Sequence, residues 1–541
     1  MPRGLIRLPS SDGLDRSLSS SWRRTVIVRA GAVDMVRVSL PATALSTVSF
    51  GAPAAERDIE RGLDDYFVES EAYNRVRLGS KRIVIGARGI GKSAIFQVLA
   101  RRERDAGSYV IELSPEDYSY ELLSQTMASE DHGSWAKLGA YAVAWKYLIY
   151  ILIMKEISKK KTHLKKGAAN GIYRYVRDNH SNQQASKLSA LVSYLKRLEG
   201  IKIGKYEASF KTRELEKLYK LEEIHHLLPS LKEIASSRRI VVLVDELDRG
   251  WDSSEDARAF VAGLFQACIS VNSLHDGLRV YMSLRQELYD DVPELYDDAQ
   301  KYRDLIETLG WKESSLLRLI ARRVRHSMPA LAAADDETCW DSLFSSLPGS
   351  RARGSFRYMI ERTLYRPREI IQFCTQAIEC SRESNSVIPV KHAAVREAED
   401  IYSAERAKDI AAEHRFQYPG LIKVFEAFRG RAQFLDREEL EFLCLELIVG
   451  EFPSSGTSAW LSDCTPNSMI EILWNTGFLC AESAQDDSAS KTGSGVSFFG
   501  AHQVRHLNIA ATRCFQVHPM FHAYLDIGTE GPRKVSRSKA G

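Results

Sequence analysis

The segment at residues 82–96, RIVIGARGIGKSAIF, restricts the possible folds of this chain more than any other stretch. It satisfies the pattern G-x-x-x-x-G-K-[ST] with Gly86, Gly91, Lys92 and Ser93, after a short apolar stretch and before a helix-like one. Such a loop joins a buried strand to a helix N-terminus and turns backbone N–H groups toward phosphate oxygens. The pattern therefore predicts a phosphate-binding loop rather than a plain glycine turn between a strand and a helix.

This loop supplies the first candidate binding residues. Lys92 is expected to reach the β- and γ-phosphates of a nucleotide, and the Ser93 hydroxyl is expected to ligate Mg²⁺. We expect nucleotide contacts from the whole loop, which comprises Gly86, Ala87, Arg88, Gly89, Ile90, Gly91, Lys92, Ser93 and Ala94.

A second motif, at residues 240–246, reads IVVLVDE. A wholly apolar, β-branched stretch is typical of a strand buried in a parallel sheet, and this one is followed by Asp245 and Glu246. Asp245 is expected to hold the Mg²⁺ shell, and Glu246 is expected to polarise an attacking water. The alternative, a strand that happens to end in two acids, is disfavoured because a phosphate loop precedes it.

Three arginines are candidates for contact with the γ-phosphate. Arg285, together with Ser283, ends the strand-like stretch LRVYMSLR, and ligands of open α/β sheets bind at the carboxyl ends of strands. Arg366 and Arg368 flank Pro367 at a predicted helix start, where a lid domain would present a guanidinium group to the nucleotide. An ordinary surface arginine is the alternative for Arg285.

The composition fits a chain with several folded domains. With 541 residues, of which 44% are hydrophobic and 27% charged, the chain is long enough for about two to four domains with real cores. The formal net charge of +3 indicates no class of partner by itself. The eight cysteines include no C-x-x-C pair, which favours reduced, buried thiols of a cytoplasmic protein over zinc ligands or disulfides.

Changes of pattern along the chain predict its domain organisation. Residues 1–48 are rich in Ser and Arg, and we expect them to be disordered or to include an over-extended start before Met35. The other predicted regions are a core at 49–312 with a large helical insertion at about 119–236, a helical lid at 313–412, a winged-helix-like domain at 413–528 and a basic disordered tail at 529–541.

The insertion has two features that bear on partners. Its most apolar part, residues 140–154, contains Lys146 and is shorter than the about 20 residues of a membrane span, so we expect a buried core helix and no membrane contact. Residues 155–223 carry 17 Lys and Arg against 8 Asp and Glu, a net charge of +9. This stretch contains a cluster of five lysines, Lys159, Lys160, Lys161, Lys165 and Lys166. Such a cluster is typical either of a solvated helix face or of a surface that binds nucleic acid.

Residues 436–530 have the opposite charge balance, with 4 basic and 13 acidic side chains. Two helix-like stretches, a Gly/Ser loop and two strand-like stretches resemble a winged-helix domain, but the net charge of −9 disfavours a grip on DNA phosphates. His518 and His522 lie four residues apart in this region. Because no third ligand is near them in the sequence, packing at a helix start is favoured over a metal pair.

The blocks GARGIGKS, VVLVDELD, VYMSLRQELYD and YRPREII, in that order, resemble the additional-strand, catalytic-glutamate class of P-loop ATPases. Within that class the chain is similar to the branch that holds the STAND, KAP and origin-recognition ATPases. It is also similar to a family of uncharacterised stand-alone bacterial P-loop ATPases, through DELDRGWD and EILWNTGFL among other blocks. The resemblance implies an α/β fold with a parallel sheet in the order 5-1-4-3-2, a helical lid and a winged-helix-like end.

The resemblance also implies ATP and Mg²⁺ as ligands. By matching position, Lys92 and Ser93 would contact the nucleotide, and Asp245 and Glu246 would serve the metal and the attacking water. Arg285 would sense the γ-phosphate, and Arg366 or Arg368 would be the lid arginine.

These observations predict a Mg²⁺-dependent ATPase whose hydrolysis drives a conformational change or assembly. The resemblance implies, as a lead, a bacterial defence or DNA-linked process. The alternative is a nucleotide-gated switch with negligible turnover. A homo-oligomer is expected, because sites of this class are often completed by an arginine from a neighbouring subunit. Candidates for that arginine are Arg285, Arg303, Arg322 and Arg323.

Overall fold

In a computed structural model of the chain, the described residues are 24–30, 34–40, 44–113, 134–159, 167–180, 222–247, 251, 253–292, 295, 302–345, 354–384, 387–450, 458–483, 497–504 and 506–528. Within these ranges the buried apolar side chains form three clusters. Two of the clusters cover the two faces of a parallel sheet, and the third joins the helices that follow the sheet to the C-terminal domain.

The described residues contain the strands β1 (Arg24–Ala30), β2 (Asp34–Leu40), β3 (Ile83–Gly86), β4 (Tyr109–Leu113), β5 (Ile240–Val244), β6 (Leu278–Arg285), β7 (Ile306–Thr308), β8 (Phe434–Asp436), β9 (Leu479–Ser483), β10 (Ser497–Phe499) and β11 (Cys514–Val517). Single helical turns lie at Ala44–Thr47, Ala55–Asp58, Leu63–Tyr66, Glu222–His225, Ser458–Ser462 and His522–Leu525. Turns of 3₁₀ helix lie at Ile59–Arg61, Arg303–Leu305, Pro329–Leu331, Ile509–Ala511 and Pro519–Phe521.

The longer helices are α1 (Glu71–Leu78), α2 (Lys92–Asp105), α3 (Ser134–Lys159), α4 (Ala168–Asn179), α5 (Leu228–Ser237), α6 (Glu255–Asn272), α7 (Gln286–Asp291), α8 (Glu313–Ser327), α9 (Asp336–Leu343), α10 (Gly354–Ile360), α11 (Pro367–Glu383), α12 (His392–Glu413), α13 (Leu421–Glu426), α14 (Arg437–Val449) and α15 (Pro466–Asn475). The predicted helix start at Pro367 is confirmed, because proline occupies the first position of α11 after an extended Arg366.

The sheet that positions the site has five parallel strands, side by side in the order β7-β3-β6-β5-β4. Numbered 1 to 5 from β3 to β7, these strands lie in the order 5-1-4-3-2. The predicted strand at residues 240–244 is confirmed as β5, which is buried along its whole length because its IVVLV side chains are all apolar. The carboxyl ends of β3, β5 and β6 therefore meet at one edge of the sheet.

The apolar part of the insertion is a buried core helix, as predicted. Helix α3 packs along α6, with the Trp145 indole donating to the Phe260 carbonyl oxygen at 3.2 Å. The two backbones approach so closely that a Cβ on Gly263 would lie 2.7 Å from the Tyr141 Cβ. Across the ranges that the structure describes, no helix is long and apolar enough to cross a membrane.

Much of the insertion's basic stretch falls outside the described residues. Of the five lysines in the predicted cluster, Lys159 alone is described, at the end of α3, where it forms an exposed ion pair with Glu156 at 2.7 Å. The prediction of a nucleic-acid surface at the other four lysines concerns residues outside the described ranges.

Part of the N-terminal region that was predicted to be disordered, residues 24–30 and 34–40, forms strands. Strands β1 and β2 pair as an antiparallel hairpin, with Val26 opposite Val38 and Val28 opposite Val36. The stretches RTVIVRA and DMVRVSL are rich in β-branched residues, which favour a pleated strand. Overall Ser and Arg content outweighed this local pattern in the sequence-based prediction.

The C-terminal domain begins with α13 and contains a four-stranded antiparallel sheet in the order β10-β9-β11-β8. Helices α14 and α15 begin at capping boxes on Asp436 and Thr465. The predicted strand-like stretches SFFG and CFQVHP contain β10 and β11. His518 accepts the Met520 N–H at 3.1 Å, and His522 Nε2 lies 2.7 Å from the Val517 carbonyl oxygen, so both rings have backbone partners.

All eight cysteines lie within the described residues, and none forms a disulfide. Six of them are buried, and Cys464 and Cys514 are partly exposed. Burial raises the pKa of the buried Cys444 and Cys480 thiols to about 12, which keeps them protonated near neutral pH.

Candidate nucleotide site

The predicted loop connects β3 to α2, which begins at Lys92. Gly89 has a φ of +76°, and a Cβ built on it would lie 3.0 Å from the Arg368 Cβ. Glycine is favoured there by the left-handed backbone and by the close approach of α11. The Lys92 ammonium donates to the carbonyl oxygens of Gly86 at 2.7 Å and Ala87 at 3.1 Å. The lysine thus lies over the loop itself.

Two further contacts hold the loop from outside. Trp311, just after β7, donates from Nε1 to the Ile90 carbonyl oxygen at 2.8 Å. The Arg368 N–H, in the first turn of α11, donates to the Gly89 carbonyl oxygen at 3.3 Å. The loop is therefore held on one side by the residue that follows the edge strand β7 and on the other by the first turn of α11.

The ends of β5 and β6 bring Asp245, Glu246 and Ser283 to the same edge. Asp245 Oδ1 accepts hydrogen bonds from the Ser283 hydroxyl and from the Glu246 N–H, the latter at 2.9 Å. Glu246 has a φ of +59°, and such a backbone costs a non-glycine residue about 1–3 kcal/mol and is concentrated at functional sites. Ser283, a candidate sensor in the sequence, therefore orients the Asp245 carboxylate.

Arg285 is the last residue of β6 and lies opposite Gly86 in the ladder between β3 and β6. This register places the predicted sensor beside the first glycine of the loop. Two residues further on, Glu287 lies in the first turn of α7. Burial raises the pKa of the Glu287 carboxyl, and the nearby Glu413 raises it further.

The Arg366 guanidinium forms hydrogen bonds and ion pairs with the loop and with two buried glutamates. Its Nη1 donates to the Arg88 carbonyl oxygen at 3.2 Å and to Glu413 Oε2 at 2.9 Å, and its Nε lies 3.6 Å from Glu369 Oε1. The other carboxylate oxygen of Glu413 accepts the Arg88 N–H at 3.2 Å. Burial alone would raise the pKa of Glu413, but the charges of Arg366, His414 and Arg285 and the hydrogen bond from Arg366 together outweigh it and lower this pKa to about 2.

Arg368, the second predicted lid arginine, has different surroundings. Its side chain lines the cavity in front of the loop, which Arg366 does not. Burial lowers the pKa of Arg368, and the positive charge of the neighbouring Arg88 lowers it further. An anion in the cavity would relieve both effects.

The loop, the ends of β5 and β6, and helices α11 and α12 all contribute residues to one cavity of about 800 Å³, a size that accommodates a nucleotide. The predicted site residues that line it are Arg88, Gly89, Ile90, Gly91, Lys92, Ser93, Ala94, Asp245, Glu246, Arg285 and Arg368. Those that do not line it are Gly86, Ala87 and Arg366.

A buried ion pair holds the wall of the cavity that is formed by residues before β3, which include Ala52, Asp58 and Tyr66. Asp58 and Arg323, whose side chains are 1% and 7% exposed, lie 2.9 Å apart. Asp58 Oδ1 also accepts the Tyr66 hydroxyl at 2.8 Å and the Ala52 N–H at 2.5 Å. Arg322 donates within its own chain as well. The idea that Arg323 reaches a neighbouring subunit is therefore wrong, because its guanidinium is buried against Asp58.

Sequence reasoning missed Trp311, Glu287 and Glu413. Trp311 carried a usable signal, since it closely follows the stretch that forms β7, and the order 5-1-4-3-2 implied by the resemblance places a fifth strand beside the strand before the loop. Glu287 and Glu413 are single acids in polar, helix-forming stretches, and no spacing distinguishes them from solvated glutamates.

Comparison with known proteins gives partial matches. Residues 314–411 match the family described as the FunZ-associated C-terminal helical domain. An 80.3 kDa protein of transposon gamma-delta from Escherichia coli (strain K12) is 24% identical over 407 residues, or 74% of this chain. The chain spans 56% of the length of that relative. Allergen Alt a 2 of Alternaria alternata is 25% identical over 156 residues, or 29% of this chain and 78% of that protein.

Among solved structures, a chain of Drosophila ORC bound to DNA has a TM-score of 0.28 and 12% identity, with 89% of each chain covered. The Aeropyrum pernix ORC2 protein has a TM-score of 0.27 and 12% identity, with 88% of this chain and 92% of that chain covered. Both TM-scores lie below 0.5, so the fold and the site are assigned from the geometry of this chain.

Proposed function

We propose that this protein binds ATP with Mg²⁺ and hydrolyses the bond to the γ-phosphate. One observation carries the proposal: five predicted residues line the same cavity, and they lie at or just after the ends of β3, β5 and β6. These residues are Lys92, Ser93, Asp245, Glu246 and Arg285. In open parallel sheets, ligands bind at this edge. A loop lysine, a metal-binding acid and a second acid are a sufficient set for phosphoryl transfer to water.

The residues at this edge also fit a Mg²⁺ ion. Ser93 and Asp245 line the same cavity and offer the oxygen ligands that Mg²⁺ prefers. The Ser283 hydroxyl holds Asp245 Oδ1 by a hydrogen bond, as the supporting residues of metal ligands commonly do. When bound, the ion would neutralise charge on the β- and γ-phosphate oxygens.

The other residues have separable roles in this proposal. Lys92 would exchange its bonds to Gly86 and Ala87 for bonds to phosphate oxygens. Glu246 would accept a proton from the attacking water, and Arg285 would stabilise charge on the γ-phosphate. The left-handed backbone of Glu246 supports this role, since such strain is retained where the position of a side chain matters.

The finer assignment to the additional-strand, catalytic-glutamate class is part of this proposal. The 5-1-4-3-2 strand order supports it, and so does the acid that follows Asp245. Helix α13, strand β8, helices α14 and α15, and strands β9 and β10 follow one another in winged-helix order. We also include assembly into a homo-oligomer, for which the exposed Arg303 is a candidate arginine, and contact of the basic insertion with nucleic acid.

Lys92→Ala should weaken ATP binding about 10- to 150-fold. A hydrogen bond to a charged group contributes about 1.5–3 kcal/mol, and about 1.4 kcal/mol corresponds to tenfold in affinity. Isothermal titration of the full-length chain with Mg-ATP measures the effect directly.

Lys232→Ala is the matched control, because Lys232 is exposed on α5 and does not line the cavity. It should bind ATP like the unchanged protein. Saturable ATP binding that is equally strong in the Lys92→Ala and Lys232→Ala variants would contradict the proposed site.

A nucleotide-gated switch with negligible turnover is the second candidate function. The bond between the loop N–H of Arg88 and Glu413 favours it, because that bond joins the loop to the end of the lid helix α12. Enzymes typically turn over at about 1–10³ s⁻¹. Steady-state hydrolysis well above about one per minute would support the enzyme, and a lower rate with tight ATP binding would support the switch.

A further inference from the structure

The Ala87–Arg88 peptide unit of the phosphate loop is bonded at both of its polar atoms. Its carbonyl oxygen accepts the Lys92 ammonium at 3.1 Å. Its N–H donates to Glu413 Oε1 at 3.2 Å. Since Lys92 is the residue that reaches the β- and γ-phosphates in such loops, Glu413 lies at the end of the loop where the terminal phosphate would bind.

Glu413 has the surroundings of a bound anion. Its side chain is 3% exposed, and Oε2 accepts the Arg366 guanidinium at 2.9 Å. Burial would raise the pKa of this carboxyl, but Arg366, through its charge and hydrogen bond, and the charges of His414 and Arg285 together keep it low. The carboxylate is therefore ionised at neutral pH, and both arginines that act on it are ones the sequence predicted to contact the γ-phosphate.

We propose that Glu413 is an internal anion that takes the place of the ATP γ-phosphate at the loop when no nucleotide is bound. This inference rests on the proposed function, since it requires that ATP binds at the loop. An ATP γ-phosphate next to the Arg88 N–H would bring a second negative charge into a buried site, where like charges repel strongly. Glu413 must then leave the loop and release Arg366, which becomes available to the phosphate.

The position of Glu413 in the chain indicates which part of the protein would respond when the γ-phosphate displaces it. Glu413 is the last residue of α12, and residues 414–417, which also line the cavity, lead to α13 and the C-terminal domain. Helix α12 itself contacts that domain, through the Ser403 hydroxyl that donates to the Met520 carbonyl oxygen at 2.6 Å. ADP lacks the group that competes with Glu413, so the C-terminal domain would respond to ATP and not to ADP.

Glu413→Gln tests the proposal in the full-length chain. The amide keeps the size of the side chain and an oxygen for Arg366, but it removes the charge that competes with the γ-phosphate. We expect ATP affinity to rise by at least about tenfold and ADP affinity to rise by less than about threefold, because only ATP meets the carboxylate. Titration calorimetry with ATP and with ADP measures the ratio, which a merely structural role would leave unchanged.

Glu399→Gln is the matched control. Glu399 lies on the same helix, is 4% exposed and pairs with Arg362 at 2.6 Å, but it does not line the cavity. Its ATP-to-ADP affinity ratio should remain that of the unchanged protein. An unchanged ratio in Glu413→Gln, or the same change in both variants, would overturn the role of Glu413.

A second measurement needs no variant and so does not depend on how well Glu413→Gln folds. Hydrogen–deuterium exchange of residues 405–417 in the unchanged chain should increase with ATP and not with ADP, because the end of α12 loses its bond to the loop. Equal protection in the two nucleotide states would overturn the proposal. If the chain bound neither nucleotide in a Lys92-dependent way, the proposed function itself would fail, whereas ATP binding without these effects would remove Glu413 alone.

Discussion

Replacing Glu246 with glutamine is expected to lower ATP turnover by about 10²–10⁴-fold, the contribution typical of a general base. Glutamine has nearly the same size but cannot accept a proton from water. Glu246 N–H donates to Asp245 Oδ1 through the backbone, so the substitution leaves that bond in place. Binding of Mg-ATP should therefore change by less than about threefold, because the water-activating group contributes to the transition state rather than to ground-state binding.

Steady-state hydrolysis and titration calorimetry on the same preparation separate these two effects. Glu255→Gln is a suitable control, since Glu255 is exposed at the start of α6 and does not line the cavity. Its turnover should equal that of the unchanged chain. A Glu246→Gln variant that hydrolyses ATP as fast as the Glu255→Gln control would show that another residue activates the water.

The parts of the site that lie next to each other in sequence could be predicted. Spacing defined the loop from Gly86 to Ser93, and the uniform apolar character of residues 240–244 gave the bounds of β5 and the position of Asp245 and Glu246. Both signals are local, because a strand end and a helix start fix the chemistry of the residues between them. The same reasoning placed Arg285 at the end of β6, where it lies opposite Gly86.

Contacts between distant parts of the chain could not be predicted. Arg88 and Glu413 are 325 residues apart, and helical periodicity shows which face of α12 is apolar but not which group meets its last residue. For the same reason the sequence did not separate Arg366 from Arg368. Arg366 is bonded to Glu413, while the Arg368 side chain lines the cavity.

Asp58→Asn should lower the free energy of unfolding by about 3–5 kcal/mol, the cost of breaking a buried ion pair by removing one partner. The asparagine would leave the Arg323 guanidinium charged and without its buried partner. The two side chains lie 2.9 Å apart, and Arg323 is 7% and Asp58 1% exposed. It would also weaken the bonds that Oδ1 accepts from the Ala52 N–H and the Tyr66 hydroxyl. Urea denaturation followed by tryptophan fluorescence measures the change.

An exposed ion pair provides the contrast for this prediction. Glu361 and Arg357 lie 2.8 Å apart on the surface, with side chains 45% and 74% exposed. Glu361→Gln should therefore cost only about 0–1 kcal/mol. Asp58, Ala52 and Tyr66 line the cavity, so partial unfolding at this wall should also weaken ATP binding. If Asp58→Asn were no more destabilising than Glu361→Gln, the Asp58–Arg323 pair would not hold this wall of the cavity in place. The wall would then depend on apolar packing alone.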